Sequence, residues 1–190
     1  MRLLKPGRLN NNFVDNLKIP GSKSYSLRAL FIAELSKSFV TLNNLLDSND
    51  TKAMQNALKN LRENKPDIFV SESGITARFL TALACITPGS QTIYGESSLN
   101  SRPIKDLVEA LKQLGADIEY LEKNGYPPIK ISSDNLPNNS LKISGETSSQ
   151  YLSALLLIAP LLENGLVVEV EGEQTSRPYI DMTIDIMKMV

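Results

Sequence analysis

The chain has 190 residues, 42% of them hydrophobic and 22% charged, with 20 Lys and Arg against 21 Asp and Glu and a formal net charge of −1. That length supports one domain burying roughly 70% of its unfolded surface, and the charge balance excludes a broad nucleic-acid-binding face, which would need a basic excess. With no histidine and a single cysteine, Cys85, the commonest metal ligand is missing and no intrachain disulfide can form, so no metal site is expected.

Met1 to Gly7 lacks the apolar core of a secretory leader, and the run Asn10-Asn11-Asn12 reads as a loop. Gly21-Ser22-Lys23-Ser24 then introduces a largely apolar helix over Leu27 to Leu35, followed by a turn and a strand over Ser38 to Leu46. An amphipathic helix comes next, with Met54, Ala57, Leu58 and Leu61 at i, i+3, i+4 and i+7. A strand over Asp67 to Val70 leads into a second apolar helix, Thr76 to Ile86, and a strand, Gln91 to Gly95. The second amphipathic helix carries Ile104, Leu107, Val108 and Leu111, and strands are expected over Ala116 to Tyr120 and Ile129 to Ser132. A third apolar helix spans Ser149 to Leu162, then a strand Leu166 to Val170 and a last helix opened by Ser176-Arg177-Pro178. Pro103 and Pro178 are assigned to first helical turns, where proline is tolerated. The longest apolar run, Ala154 to Leu162, is interrupted by Pro160 and is too short to span a bilayer. A soluble cytoplasmic protein without nucleic-acid or membrane partners is expected.

Three segments of this chain resemble one another. Gly21-Ser22-Lys23-Ser24-Tyr25-Ser26-Leu27-Arg28-Ala29-Leu30, Ser73-Gly74-Ile75-Thr76-Ala77-Arg78-Phe79-Leu80 and Gly145-Glu146-Thr147-Ser148-Ser149-Gln150-Tyr151-Leu152 each place glycine and hydroxyl residues before Arg or Gln and an apolar run. Leu30, Leu80 and Leu152 lie 50 and 72 residues apart. A second trio begins at Ser48, Ser101 and Ser176, spaced by 53 and 75. Two trios in matching order and spacing indicate three repeated units. Helices apolar on most sides must be buried, so the economical α+β architecture has helices inside and small sheets outside. The third unit reaches Val190 without its closing strands, and the expectation is that it is incomplete.

Helix starts leave backbone N–H groups unpaired and carry partial positive charge. Small residues let an anion approach them. Lys23, Ser24 and Arg28 add cations and a hydroxyl at the first such start, Arg78 a cation at the second, and Ser148, Ser149 and Gln150 neutral donors at the third. Arg102 and Arg177 open the amphipathic helices. If the units are arranged about a rough three-fold axis, these groups converge on one face and could hold a phosphate or carboxylate. Taken singly, Ser24, Thr76 and Ser148 read as helix caps and each cation as a solvated surface charge. Gly-Ser-Lys-Ser lacks the spacing of a P-loop, and Cys85, mid-helix, reads as core.

The stretch Pro20 to Leu30 resembles the opening signature of the 5-enolpyruvylshikimate-3-phosphate (EPSP) synthase family. Ser101-Arg102-Pro103-Ile104-Lys105-Asp106-Leu107, Ser148-Ser149-Gln150 and Ser176-Arg177-Pro178-Tyr179-Ile180-Asp181 are similar to three further motifs of that family, in its order, from about Ile19 to Val190. The resemblance implies two similar halves, each of three βαβαββ units, with substrates in the cleft between them. Residues 18–190 would form the N-terminal half, and residues 1–17 would start in the second half and cross over. It further implies transfer of the enolpyruvyl group of phosphoenolpyruvate to the 5-hydroxyl of shikimate 3-phosphate, with release of phosphate and no metal or organic cofactor. By motif match, Lys23, Ser24, Arg28, Ser148, Ser149, Gln150 and Ser176 would hold shikimate 3-phosphate, with Tyr179 beside it. Lys23, Gly74, Arg102 and Gln150 would touch phosphoenolpyruvate, and Arg78 is assigned no contact. Acid–base carboxylates would come from the second half, so this chain alone is expected to bind shikimate 3-phosphate weakly and not to turn over.

One loop departs from the family pattern. Glu72-Ser73-Gly74-Ile75 stands where Asn-Ala-Gly-Thr is usual, and Phe79 replaces a common proline. Glu72 would repel an anionic substrate unless turned away, and bulk from Ile75 and Phe79 at the phosphoenolpyruvate end is expected to weaken binding of glyphosate. Two rival readings are a UDP-N-acetylglucosamine enolpyruvyl transferase, disfavoured because its reactive loop cysteine has no counterpart in the helical Cys85, and a non-catalytic anion-binding repeat module.

Overall fold

The computed structural model describes residues 19–36, 39–132, 135–146 and 148–189. The proposed crossover segment 1–17 lies outside the described residues.

Among the described residues, six α-helices and six short strands follow one another. Helix α1 (Lys23–Leu35) is followed by α2 (Asn49–Arg62), β1 (Asp67–Phe69), α3 (Gly74–Ala84) and β2 (Gln91–Tyr94). Then come α4 (Lys105–Gln113), β3 (Ile118–Tyr120), β4 (Ile129–Ile131), β5 (Ser140–Ser144), α5 (Ser149–Ile158), β6 (Val167–Glu171) and α6 (Arg177–Met187). The architecture is α+β, mixing packed helices with small sheets.

Helix α3 shows why apolar composition dictates burial. Nine of its eleven residues are buried, so it packs on several sides at once, with α5, α2 and β2 against it. Helix α5 in turn meets α6, and α1 lies between α2 and α6. The amphipathic α2 and α4 turn only a stripe inward: Met54, Ala57, Leu58 and Leu61 in α2, and Leu107, Val108, Ala110 and Leu111 in α4. Those positions match the helical period read from the sequence.

The strands form two sheets. Four pair in the order β1-β2-β4-β3, with β1 parallel to β2 and the other pairings antiparallel. Strands β5 and β6 pair in parallel, Leu141 opposite Val168 and Ile143 opposite Val170. In β4 and β5 buried and exposed residues alternate strictly. One face of each sheet thus covers the helices and the other faces solvent.

Several expectations need correction. Residues 39–46 form no strand; instead Leu46 N–H donates to Ser26 Oγ at 3.0 Å, and the segment runs as a loop over α1. Strand β5 was not anticipated from the sequence. The third apolar helix ends at Ile158, and a 3₁₀ turn over Ala159–Leu161 follows. Pro160 explains the change, because proline inside an α-helix removes a donor and clashes with the preceding turn. Pro103 precedes the Ile104 N-cap of α4 and is not in its first turn, whereas Pro178 does sit in the first turn of α6. No helix among the described residues is long and apolar enough to cross a membrane.

Candidate active site

The first turns of α1, α3 and α5 open onto one pocket of about 300 Å³. Lys23, Ser24 and Leu27 come from α1, Gly74 and Ile75 from α3, and Gln150 from α5. Asp50 at the start of α2, Glu72 before α3, and Arg102 before α4 complete the wall. The chain thus brings residues 127 positions apart into one concavity, and the buried helices that carry them set its shape.

Local capping explains how these helix starts are held. Ser48 and Thr51 form a reciprocal capping box at α2, Ser73 Oγ accepts from Thr76 N–H at 3.4 Å, and Ser148 Oγ accepts from Gln150 N–H at 3.3 Å. Ser148 is therefore a cap, as its position alone suggested. Ser24 is not, since it lies inside α1 and lines the pocket.

Gly74 is small because a guanidinium needs its space. A methyl group there would lie 3.0 Å from Arg102 Cδ and 3.2 Å from Arg78 Nη1. Two guanidinium groups therefore flank the start of α3. Burial lowers the pKa of Arg78, nearby Arg102 lowers it further, and Tyr151 opposes the shift. Among the described residues neither arginine is within ion-pair distance of a carboxylate. Gly21, by contrast, is not small for a ligand. A Cβ there would fall 2.0 Å from the Asn44 carbonyl oxygen, so the glycine admits the 44–46 loop against α1.

Lys23 is already paired. Its Nζ lies 3.1 Å from Asp50 Oδ2. Burial pushes the Asp50 carboxyl up, but hydrogen bonds from Ser73 and Lys23 and the charges of Lys23 and Arg102 outweigh that and hold it below the usual carboxylate range. In the sequence Asp50, an acid in a first helical turn, reads only as an ordinary complement to the helix dipole. The signal available was its place in Ser48-Asn49-Asp50-Thr51, the segment spaced like the two Arg-Pro motifs.

Of the ten expected ligand-binding residues, Lys23, Ser24, Gly74, Arg102 and Gln150 meet at the pocket. Arg28 does not line it. Only 1% exposed, its guanidinium donates to Thr183 Oγ1 (2.6 Å), Ser24 O (3.0 Å), Ser153 Oγ (3.0 Å) and Tyr179 O (3.3 Å), tying α1 to α5 and α6. Burial lowers its pKa to about 10. Ser149 is buried beside the pocket at the first position of α5. Ser176, with a left-handed backbone, and the exposed Tyr179 lie at the start of α6, outside the lining. Phe79 is fully buried against Phe31, 5.7 Å away, and under Arg28, so its bulk belongs to the core and not to the pocket; only Ile75 adds bulk there. Cys85 is buried, its thiol pushed up by burial and donating to Thr81 O.

A family model described as EPSP synthase (3-phosphoshikimate 1-carboxyvinyltransferase) matches residues 8–70 and 63–190. The chain belongs to the EPSP synthase family. Similar members include the 3-phosphoshikimate 1-carboxyvinyltransferases of Bacteroides fragilis (strain YCH46), 45% identical over 90% of this chain and 41% of that protein, and of Shewanella amazonensis, 41% identical over 90% and 45%. The fold agrees with an EPSP synthase from Acinetobacter baumannii, TM-score 0.73 at 20% identity, covering 84% of this chain and 41% of that one. This member of the EPSP synthase family therefore spans less than half the length of the curated relatives it matches.

Proposed function

We propose that this chain supplies the N-terminal half of an enolpyruvyl transferase that joins phosphoenolpyruvate to the 5-hydroxyl of shikimate 3-phosphate and releases phosphate. The observation that carries the proposal is the meeting of Lys23, Arg102 and Gln150 with the start of α3 in one pocket. Two cations, an amide and a helix N-terminus suit a phosphate or carboxylate, and each charge-assisted hydrogen bond there contributes about 1.5–3 kcal/mol. In this reading Lys23, Gly74, Arg102 and Gln150 receive phosphoenolpyruvate. Ser24, Ser148, Ser149, Ser176 and Tyr179 extend the surface toward shikimate 3-phosphate. Arg28, engaged within the fold, holds α1, α5 and α6 in register beneath that surface. The three-fold arrangement of βαβαββ units belongs to the same proposal. It is supported by the succession β1-α3-β2-α4-β3-β4, which β5-α5-β6-α6 begins to repeat.

The acid–base groups belong to the second half in this reading, so residues 1–190 bind but do not turn over. Titration calorimetry with shikimate 3-phosphate, beside a phosphate-release assay with both substrates, tests the two parts. Weak binding without release is expected. Turnover by this chain alone would overturn the division of labour, and no heat with shikimate 3-phosphate at millimolar concentration would overturn the binding role.

A further inference from the structure

Gln150 carries one acceptor and two donors on its side-chain amide, and which of them faces the pocket decides whether it attracts or repels an anion. The neighbour on its other side settles the matter. Arg78 Nη1 lies 2.5 Å from the Gln150 amide, and a guanidinium has only donors, so the atom it meets must be Oε1. Among the described residues no group accepts from Gln150 Nε2. The amide is thereby turned with its oxygen toward Arg78, leaving the NH₂ as the end available to the pocket that Gln150 lines.

The same arginine reaches the other anion-facing group. Arg78 Nη2 donates to Pro103 O at 3.0 Å, the carbonyl next in chain after Arg102. Tyr151 O–H donates to that carbonyl at 2.7 Å, and the Arg78 guanidinium lies 5.3 Å from the Tyr151 ring centre. One planar fork therefore bridges α5 and the loop before α4 from a position on α3. Lysine has the charge but not the fork, and cannot serve both sites in this geometry.

We infer that Arg78 is the positioning residue of this pocket, orienting the Gln150 amide as a donor and anchoring the Arg102 loop without itself contacting the ligand. The inference rests on the anion-binding reading above and adds a residue to which that reading gave no role.

The test uses residues 1–190, ¹H–¹⁵N spectra and inorganic phosphate as probe. Without ligand, the Gln150 side-chain amide signals should stand apart from those of free glutamine. Arg78→Lys should move them toward the free position while signals from the β3–β4 pair stay in place. Phosphate should shift the Gln150 NH₂ in the unaltered chain, with affinity about ten-fold weaker in Arg78→Lys although charge is retained. Tyr151→Phe, which leaves the Arg78–Gln150 bond intact, should disturb the Arg102 loop but not the Gln150 amide. Unmoved Gln150 signals in Arg78→Lys, or equal phosphate affinity in that variant, would overturn the inference. Absence of any pocket response to phosphate in the unaltered chain would instead overturn the anion-binding reading, and is seen before any substitution is made.

Discussion

Replacing Arg28 should cost less than replacing one of its partners. Its four hydrogen bonds all end on uncharged oxygens, and no carboxylate lies within ion-pair distance among the described residues. Those oxygens keep other contacts when the guanidinium is gone. Ser153 and Thr183 hydroxyls lie 2.9 Å apart, Thr183 Oγ1 donates to Tyr179 O at 2.8 Å, and Ser24 O stays in the α1 hydrogen-bond ladder. Hydrogen bonds from a charged donor contribute about 1.5–3 kcal/mol each. The burial that lowers the Arg28 pKa to about 10 opposes that gain, and because no carboxylate is paired with it, its removal strands no opposite charge in the core. Arg28→Met should therefore lose about 1 kcal/mol. Thr183→Val leaves Nε–H of a buried cation without its 2.6 Å acceptor and should lose about 3 kcal/mol. The double variant should fall close to Arg28→Met alone, a coupling of about 3 kcal/mol. Urea unfolding at pH 7 followed by circular dichroism, with unchanged denaturant slope, measures all three. A loss in Arg28→Met equal to or larger than that in Thr183→Val, or simple additivity in the double variant, would refute the reasoning.

Three further outcomes concern Gly74, Gly21 and Asp50. Gly74→Ala meets only flexible side-chain atoms, so the thermal midpoint should stay within about 2 °C, while displacement of Arg102 weakens phosphate binding several-fold by calorimetry. Gly21→Ala meets the Asn44 carbonyl at 2.0 Å and Leu46 N at 3.0 Å, both backbone, and should lose about 1–3 kcal/mol in the same urea assay. Asp50→Asn should lower the thermal midpoint at neutral pH and tighten phosphate binding by freeing Lys23. Because the Asp50 carboxyl is depressed in the folded chain, its contribution is fully present above its unfolded pKa and is lost as pH falls through the folded one. The gap between the variant and the unaltered chain should therefore close as midpoints are followed from pH 7 into the range below ordinary carboxylate titration.

The parts of this fold legible in the sequence are those where one residue's surroundings decide its state. Met54, Ala57, Leu58 and Leu61 fall on one stripe whatever surrounds the helix, and that stripe is buried. Lys23, Gly74, Arg102 and Gln150 were recoverable because recurring glycine and hydroxyl residues marked equivalent helix starts. The misses have non-local causes. Residues 39–46 have strand-like composition but run as a loop because α1 offers the Ser26 hydroxyl in place of a sheet partner. Strand β5 has only Leu141 and Ile143 facing inward and exists through its pairing with β6, which lies beyond α5. Arg28 and Phe79 stand beside site residues in sequence, yet both turn inward, and no local pattern reports which side of a buried helix faces the pocket.

The charge arrangement of the pocket predicts that this chain binds an anion only weakly. Lys23 and Arg102 line it and Arg78 lies behind, but Asp50 and Glu72 line it as well. An incoming dianion therefore finds little net attraction, and it must also compete with Asp50 for Lys23 at 3.1 Å. Exposure to water on the open side screens what remains. Covering that side would strengthen each remaining charge interaction by excluding water, and any cation brought by the cover could draw Asp50 or Glu72 away from the ligand. A pocket with mixed charges and an open side would hold an anion more firmly if that side were covered, and the Asp50–Lys23 pair fixes where the lysine stands in the open pocket.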